Sequence, residues 1–364
     1  MVDNGITFVH TGDVHIGSPF TGLPLHVASK RRQEIMSSFL HILDFVKEKK
    51  VNYLFIAGDL FENDYVTTND LQQINEAFRQ LVDTHICMIA GNHDPILGDK
   101  SFYNRVSWGE NVHLFTKDKE SIYFEDHETT VYGHSWYEKY VQHDAIKSIH
   151  KRNQQGHHIL LAHGDAYTKS NYLPLDIRSL KDKNFDYVAL GHIHRPAFIT
   201  DEICYCGSPE ALNFGEGHEH GFIAGEIMDH IIYKKFIPIA KRHYKKVEVR
   251  VQPNAFEADI INDIRQSINN HDLFRIILKG QADFRRLIDI SYIQQQVSEE
   301  VFYSEIIDER DTLLDFDSIE KEHSHTIIGD FIQQMKAEGL DDPVNKRALE
   351  IGLELLLNEK GVDL

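Results

Sequence analysis

The stretch "FVHTGDVHIG", Phe8–Gly17, decides how the chain is read. A short apolar run ends in an Asp and a His two residues apart, with a glycine just before the Asp. Alternate residues of an extended strand point to the same side, so Asp13 and His15 can aim at one point. Open α/β sheets bind their ligands where the buried strands end. A carboxylate and an imidazole converging there suit a metal ion.

The same punctuation recurs along the chain. "GDLFE" (Asp59), "GNHD" (Asn92, His93, Asp94), "AHGD" (His163) and "GHIH" (His192, His194) each follow an apolar run, which makes five strand exits with a glycine nearby. Glycine lets the backbone turn sharply and approach a bound group. The donors are oxygen and imidazole nitrogen, with no thiolate. Such a set fits Mn²⁺, Fe, Zn²⁺ or Co²⁺, while the imidazoles argue against a pure Mg²⁺ or Ca²⁺ site. Seven ligand-type residues (Asp13, His15, Asp59, Asn92, His163, His192 and His194) exceed the needs of one ion and match two neighbouring ions sharing a bridge.

Between these exits lie helical patterns. "RRQEIMSSFLHILDFVKEKK" places Ile35, Phe39, Ile42, Leu43 and Val46 at helical spacing, and "TNDLQQINEAFRQLV" reads as a helix capped by Asn69 or Asp70. The β-α-β-α-β order implies a parallel sheet with right-handed crossovers and strand ends gathered on one edge. The later strands fall closer together, as in a second, more antiparallel sheet packed on the first. Near residue 240 the pattern changes to a compact α/β unit. It is followed by two amphipathic helices, one with the stripe Ile327, Ile328, Phe331, Ile332 and Met335, the other with Leu349, Leu353 and Leu356. Such stripes serve either packing on their own domain or partner binding.

A length of 364 residues suggests two domains, perhaps with an appendage. The net charge of −19 is uneven: Glu299 to Leu364 holds 18 acidic and 6 basic residues, a net of −12, leaving −7 for the first 298. The acidity therefore does not exclude a polyanionic partner for the body of the protein. Basic clusters at Lys30, Arg31 and Arg32, at Lys241, Arg242, Lys245 and Lys246, and at Arg285 and Arg286 are candidates for phosphate contacts, with a solvated face as the commoner fate of such runs. Phe20 and Tyr103 could wedge or stack on bases, although core packing is the simpler reading. Cys87, Cys204 and Cys206 lack zinc spacing and read as reduced, buried thiols. No signal segment opens the chain and no run approaches membrane-helix length, so a cytoplasmic protein is expected.

The ordered set D-x-H, GD, GNH, GH and GHxH, over about residues 5–230, resembles the calcineurin-like metallophosphoesterases. Within that superfamily "HTGDVHIGSPF", "GDLFEND", "GNHDP", "LGHIHRP" and "YCGSPEALNFGE" are similar to the DNA-repair nuclease branch, the SbcD- and YhaO-type exonucleases. The resemblance implies a four-layer α/β/β/α sandwich over residues 1–240, a small α/β capping domain over 245–315, and C-terminal helices over 316–364 that dock on an SMC-like ATPase subunit (SbcC-type). It implies a homodimer acting on DNA with two divalent ions, Mn²⁺ foremost.

By position, Asp13, His15 and His194 would hold the first ion with Asp59. Asp59 would bridge to the second, completed by Asn92, His163 and His192. His93 would stabilise the transition state or protonate the leaving oxygen, and Asp94 would orient His93. The implied activity is exonucleolytic hydrolysis of DNA. The alternative is a phosphatase or a small-molecule or cyclic-nucleotide phosphodiesterase using the same two ions. One departure stands out. The branch often has a His after "GDLF" where this chain has Glu62, and a carboxylate there repels phosphate unless it is protonated, paired or turned away.

Overall fold

The structure, a computed structural model, describes residues 5–98, 101–138, 140–143, 145–151, 155–168, 171–283, 288–313 and 315–358. Arg285 and Arg286 lie outside the described residues. The first part of the chain runs β1 (Ile6–Thr11), α1 (Leu25–Lys49), β2 (Tyr53–Ala57), α2 (Thr68–Arg79), β3 (His85–Ile89) and β4 (Val112–Leu114). These four strands pair in parallel, in chain order. Helix α1 begins directly after its N-cap Pro24, six residues earlier than the quoted apolar spacing suggests, and its first turn already buries Val27 and Ala28. Helix α2 is capped by Thr67. Its hydroxyl accepts from the Asp70 N–H while the Asp70 carboxylate accepts from the Thr67 N–H, so Asp70 is the reciprocal partner of the cap rather than the cap itself.

A second sheet contains β5 (Ser121–Phe124), β6 (Thr129–Gly133), β7 (His157–His163), β8 (Tyr187–Gly191), β9 (Ala197–Phe198) and β10 (Ile203–Tyr205), with α3 (Ile177–Asp182) before β8. Its centre corrects the expectation of a more antiparallel sheet. β6, β7, β8 and β10 run parallel, and only the edge strands β5 and β9 are antiparallel. The segments before β7 and β8 are long enough to carry the chain back to the same end, as parallel pairing requires. The chain then returns to the first sheet through β11 (Gly221–Met228), antiparallel to β1, and β12 (Ile231–Pro238) at its edge.

Side-chain alternation sorts the apolar residues into layers. Leu54, Ile56, Ile86 and Met88 face α1 and α2, packing with Ile35, Phe39, Ile42, Ile74 and Phe78. Their neighbours Tyr53, Phe55, Cys87 and Ile89 face the second sheet and meet Ile159, Leu161, Tyr187 and Ala189. Leu160, Ala162, Val188 and Leu190 point away on the far side, under Leu180 of α3 and Trp136. Helix, sheet, sheet and helix form the four layers of an α/β sandwich, and all three cysteines are buried and unpaired. Because the helix-linked strands all run one way, their C-terminal ends share one edge.

The chain divides after Tyr244. The second unit contains β13 (Tyr244–Val251, which starts at the boundary), α4 (Glu257–Arg265), β14 (Leu273–Asp283), α5 (Ile290–Ser298), β15 (Tyr303–Asp308) and β16 (Asp311–Leu313). Val249, Ile260, Ile264, Phe274, Ile276, Ile293 and Val297 form its core. Three helices follow: α6 (Phe316–Glu322), α7 (Ile327–Glu338) and α8 (Pro343–Asn358). They pack around Ile319, Ile332, Leu349 and Leu353, with Ile328, Phe331 and Met335 against them. Ile327 leaves the expected stripe and is 73% exposed. No helix among the described residues is long and apolar enough to cross a membrane.

Candidate metal centre

The exits of β1, β2, β3, β7 and β8 meet at the shared edge. The loop after β1 is stitched to the loop after β2: the Asp13 N–H donates to the Gly58 carbonyl and the His15 N–H to the Asp59 carbonyl, both at 3.0 Å. Asp13, His15, Asp59 and His192 all hold positive φ, at 49°, 52°, 50° and 96°. Non-glycine residues rarely adopt that region, and where they do the surrounding structure must hold them. Two glycines explain the "GD" and "GN" wording. A Cβ at Gly58 would sit 2.6 Å from His163 Nδ1, and one at Gly91 would sit 2.2 Å from Asp59 Oδ1.

All seven ligand-type residues are brought together. Asp13, His15 and His194 offer ligand atoms within 4.8 Å of one another, as do Asp13, Asp59 and His163. The Nε2 atoms of His15 and His194 approach to 3.2 Å. His163 Nε2 lies 2.9 Å from Asn92 Oδ1 and 3.2 Å from Asp59 Oδ2, and His192 Nδ1 lies 3.2 Å from the same Asn92 oxygen. His15 Nε2 is 3.8 Å from Asp59 Oδ2, so this carboxylate stands between the two groups.

The outward ring nitrogens are fixed. His15 Nδ1 donates to Glu62 Oε2 at 3.1 Å, His194 Nδ1 to Glu216 Oε1 at 3.2 Å, and His163 Nδ1 to the Ala57 carbonyl at 2.9 Å. A carboxylate or carbonyl oxygen only accepts, so Nδ1 carries the proton in each ring and the Nε2 lone pair turns inward. Around His163 Nε2 crowd two oxygens that are themselves acceptors. A divalent cation satisfies that nitrogen and both oxygens at once, and the nitrogen–oxygen donor set fits a borderline ion.

Electrostatics say the same. Burial disfavours ionised Asp59, but His163, His15 and His93 outweigh it and hold its pKa well below the usual carboxylate range. Burial raises Asp13, opposed by His163 and His194. Burial alone would lower His163, yet Asp59 and Asp13 push it up to about 9; against the same penalty, Glu216 and Asp13 push His194 to about 9. Burial and the neighbouring His163 instead lower His192 to about 3. Without an ion, protons on His163 and His194 supply the positive charge that these carboxylates require.

One condition set by the sequence is met, and one expectation is revised. Glu62 is paired: one oxygen accepts from His15 and the other from His93 Nδ1 at 3.0 Å. Burial opposes its ionisation, but the bonds from His15 and His93 bring it down to about 2. Asp94 does not orient His93. Its carboxylate accepts from the backbone N–H groups of Gly91, Asp59, Leu60 and Phe61 and from the Tyr103 hydroxyl, at 2.6–3.2 Å. Buried under Phe61 and beside four amides of two strand exits, it ties backbone together, and Glu62 occupies the place expected for it. His93 sits over the centre with its N–H on Asp59 Oδ1 at 2.8 Å and its side chain 44% exposed.

The basic clusters separate. Arg31 is fully buried, donating to Glu34 and Glu210, and Arg242 donates to Glu34, so neither meets a substrate backbone. Lys245 pairs with Asp272 within the second unit. Arg32 and Lys241 line one groove beside Ile16 and Gly17, and Lys30 and Lys246 are exposed. Phe20 and Tyr103 are core residues. Glu216, inside the quoted "NFGE", escaped the sequence reading. Its signal is an acidic residue between glycines just after the last strand exit.

With this geometry in place, a family comparison gives the class. Residues 6–196 match the calcineurin-like phosphoesterase family, and the chain belongs to it. The family uses a dimetal centre, and this chain gathers residue groups that could hold metal ions. It is similar to the uncharacterized metallophosphoesterase YhaO of Bacillus subtilis (strain 168), 26% identical over 232 residues, 60% of this chain and 56% of that protein. The chain thus spans a little over half the length of this curated relative.

Proposed function

We propose that this protein is a Mn²⁺-dependent DNA exonuclease of the repair type, hydrolysing phosphodiester bonds at a two-metal site. The observation that carries the reading is the set of seven donors on one edge, with the His93 imidazole beside it. Asp13, His15, His194 and Asp59 would hold one ion, and Asp59, Asn92, His163 and His192 the other. Bound there, two divalent ions supply Lewis-acid polarisation of the phosphoryl group and a lowered pKa for the attacking water. Glu62 fixes Nδ1 of His93, which leaves Nε2 to serve the substrate. The Glu62 bond raises the His93 pKa against burial, and the ring would donate a proton to the leaving 3′ or 5′ oxygen.

DNA is favoured over a small ester by the nuclease-like motif wording and by the 120 residues beyond Tyr244, for which a phosphatase has no evident use. We assign α7 and α8 to docking on an SMC-like ATPase. α8 leaves Val344, Ile351 and Leu355 exposed on the face opposite buried Leu349 and Leu353, as a helix with a second partner would. The resemblance also favours a homodimer in the cytoplasm.

The test offers the Mn²⁺-loaded protein linear DNA, bis-nitrophenyl phosphate and nucleotides in parallel. Shortening of DNA from its ends is expected. Turnover of small esters or cyclic nucleotides with DNA left intact would replace this reading by the phosphatase or phosphodiesterase alternative.

A further inference from the structure

A basic pocket lies at the other end of the second sheet. Lys147, His150 and Lys151, from the segment before β7, face Lys183 and Asn184 at the end of α3 across a cavity of about 610 Å³. β7 and β8 run from this end to the metal centre. Their seven and five residues, at about 3.3 Å each, put the two sites on the order of 15–20 Å apart.

In a chain of net charge −19, one carboxylate, Asp182, lines this cavity. Among the described residues, no carboxylate forms an ion pair with Lys147 or Lys151. Lysines on an acidic protein ordinarily form ion pairs, and neither of these does.

The pocket is also shaped in advance. The Lys183 ammonium donates to the carbonyls of Lys147 and Ile149 at 3.0 and 2.7 Å, which fastens the lysine-bearing segment against the end of α3. Lys151 lies 5.9 Å from the Phe185 ring centroid, and partial burial lowers its pKa with only Asp186 opposing. A partly buried ammonium without an ion-pair partner gains from an anion placed beside it. Ser179 and Asn184 add neutral donors at the rim.

We propose that this pocket binds a phosphate-type anion at a site separate from the metal centre. Its occupant is either a small phosphate compound or a phosphate of a nucleic-acid backbone, since both present the same oxygens to Lys147, His150 and Lys151.

Calorimetric titration of the full-length protein with inorganic pyrophosphate, in chelator so that no metal centre takes the probe, tests it. One binding site is expected, weakened about tenfold or more in the double variant Lys147→Glu/Lys151→Glu and by added salt. Lys147→Arg/Lys151→Arg should bind as the parent does, and all three proteins should share one thermal midpoint within a few degrees, because Lys147 is exposed and Lys151 only half-buried. Parent protein that binds no pyrophosphate, or binding unchanged by charge reversal, overturns the proposal. A competing oligonucleotide separates the sources: displacement of pyrophosphate identifies a nucleic-acid backbone as occupant, and coexistence identifies a small phosphate compound.

Discussion

Two buried polar clusters in the first unit differ in where their positive charge comes from. Around Arg31, two carboxylates face two guanidiniums. Arg31 donates to Glu34 at 2.7 Å and to Glu210 at 2.8 Å, Arg242 closes on Glu34, and Ser38 and the Lys241 N–H fill the second Glu210 oxygen. That cluster pairs two charges of each sign internally, joining α1 to the loop after β10 and to the end of the unit. At the strand exits, Asp13 and Asp59 are buried just as deeply, but the cationic side chains paired with them among the described residues are imidazoles. Imidazoles give up their protons to a metal and guanidiniums do not. The lesson is that burial of charge alone does not mark a site; burial with a replaceable counter-charge does.

The sharpest way to break this comparison is to remove the shared carboxylate. Asp59→Ala should lower phosphodiester turnover by about 10³-fold or more and empty at least one metal position. Turnover and metal content by mass spectrometry check it, and both ions retained at full occupancy would refute the bridge. Arg31→Met should do the opposite. It removes the guanidinium that Glu34 and Glu210 share, leaving Arg242 on Glu34 and neutral donors on Glu210, and costs about 3–5 kcal/mol in urea unfolding, while the folded protein keeps its metal content.

His93→Ala should cut turnover by about 10²–10⁴-fold with metal content intact, since the ring is placed to serve the substrate. Glu62→Gln should follow at about 10–100-fold, because the amide holds the two rings less firmly and does not favour the protonated form. Equal losses of metal in either variant would make these residues props of the site instead.

A pH-dependent effect concerns a buried polar group with no charged partner among the described residues. His10 Nδ1 sits 2.8 Å from the Tyr187 hydroxyl, and burial lowers its pKa to about 3. The unfolded chain binds this proton below about pH 6.5 and the native protein does not, so stability falls as pH drops from about 6.5 towards 3, by up to about 1.4 kcal/mol per pH unit. His10→Asn should flatten that slope when unfolding is followed across the window.

How much of this was legible in the sequence follows from the range of each interaction. The exits were readable because a strand's alternation and its terminal glycine are local, and seven donors in order left little freedom. Leu54 and Phe55 announce opposite layers by parity alone. Glu62 was visible as a departure, but its pairing depends on His15 and His93 arriving from two other loops. Asp94 was misassigned because adjacency to His93 in sequence says nothing of direction: in a tight turn consecutive side chains diverge. Arg31 and Arg242 looked like a phosphate-binding surface because Glu34 and Glu210, which neutralise them, come from separate segments. The parallel centre of the second sheet was hidden for the same reason, since short spacing suggests hairpins until the crossovers are seen.

The Asp94 carboxylate has one more consequence. By gripping Gly91 together with Asp59, Leu60 and Phe61, it welds the turn after β3 to the turn after β2. Asp59 and Asn92 therefore travel as one piece, and the gap between the halves of the centre is set by strand register rather than by loop motion. Such a gauge tolerates exchange of one ion for another of similar radius far better than any change in their spacing.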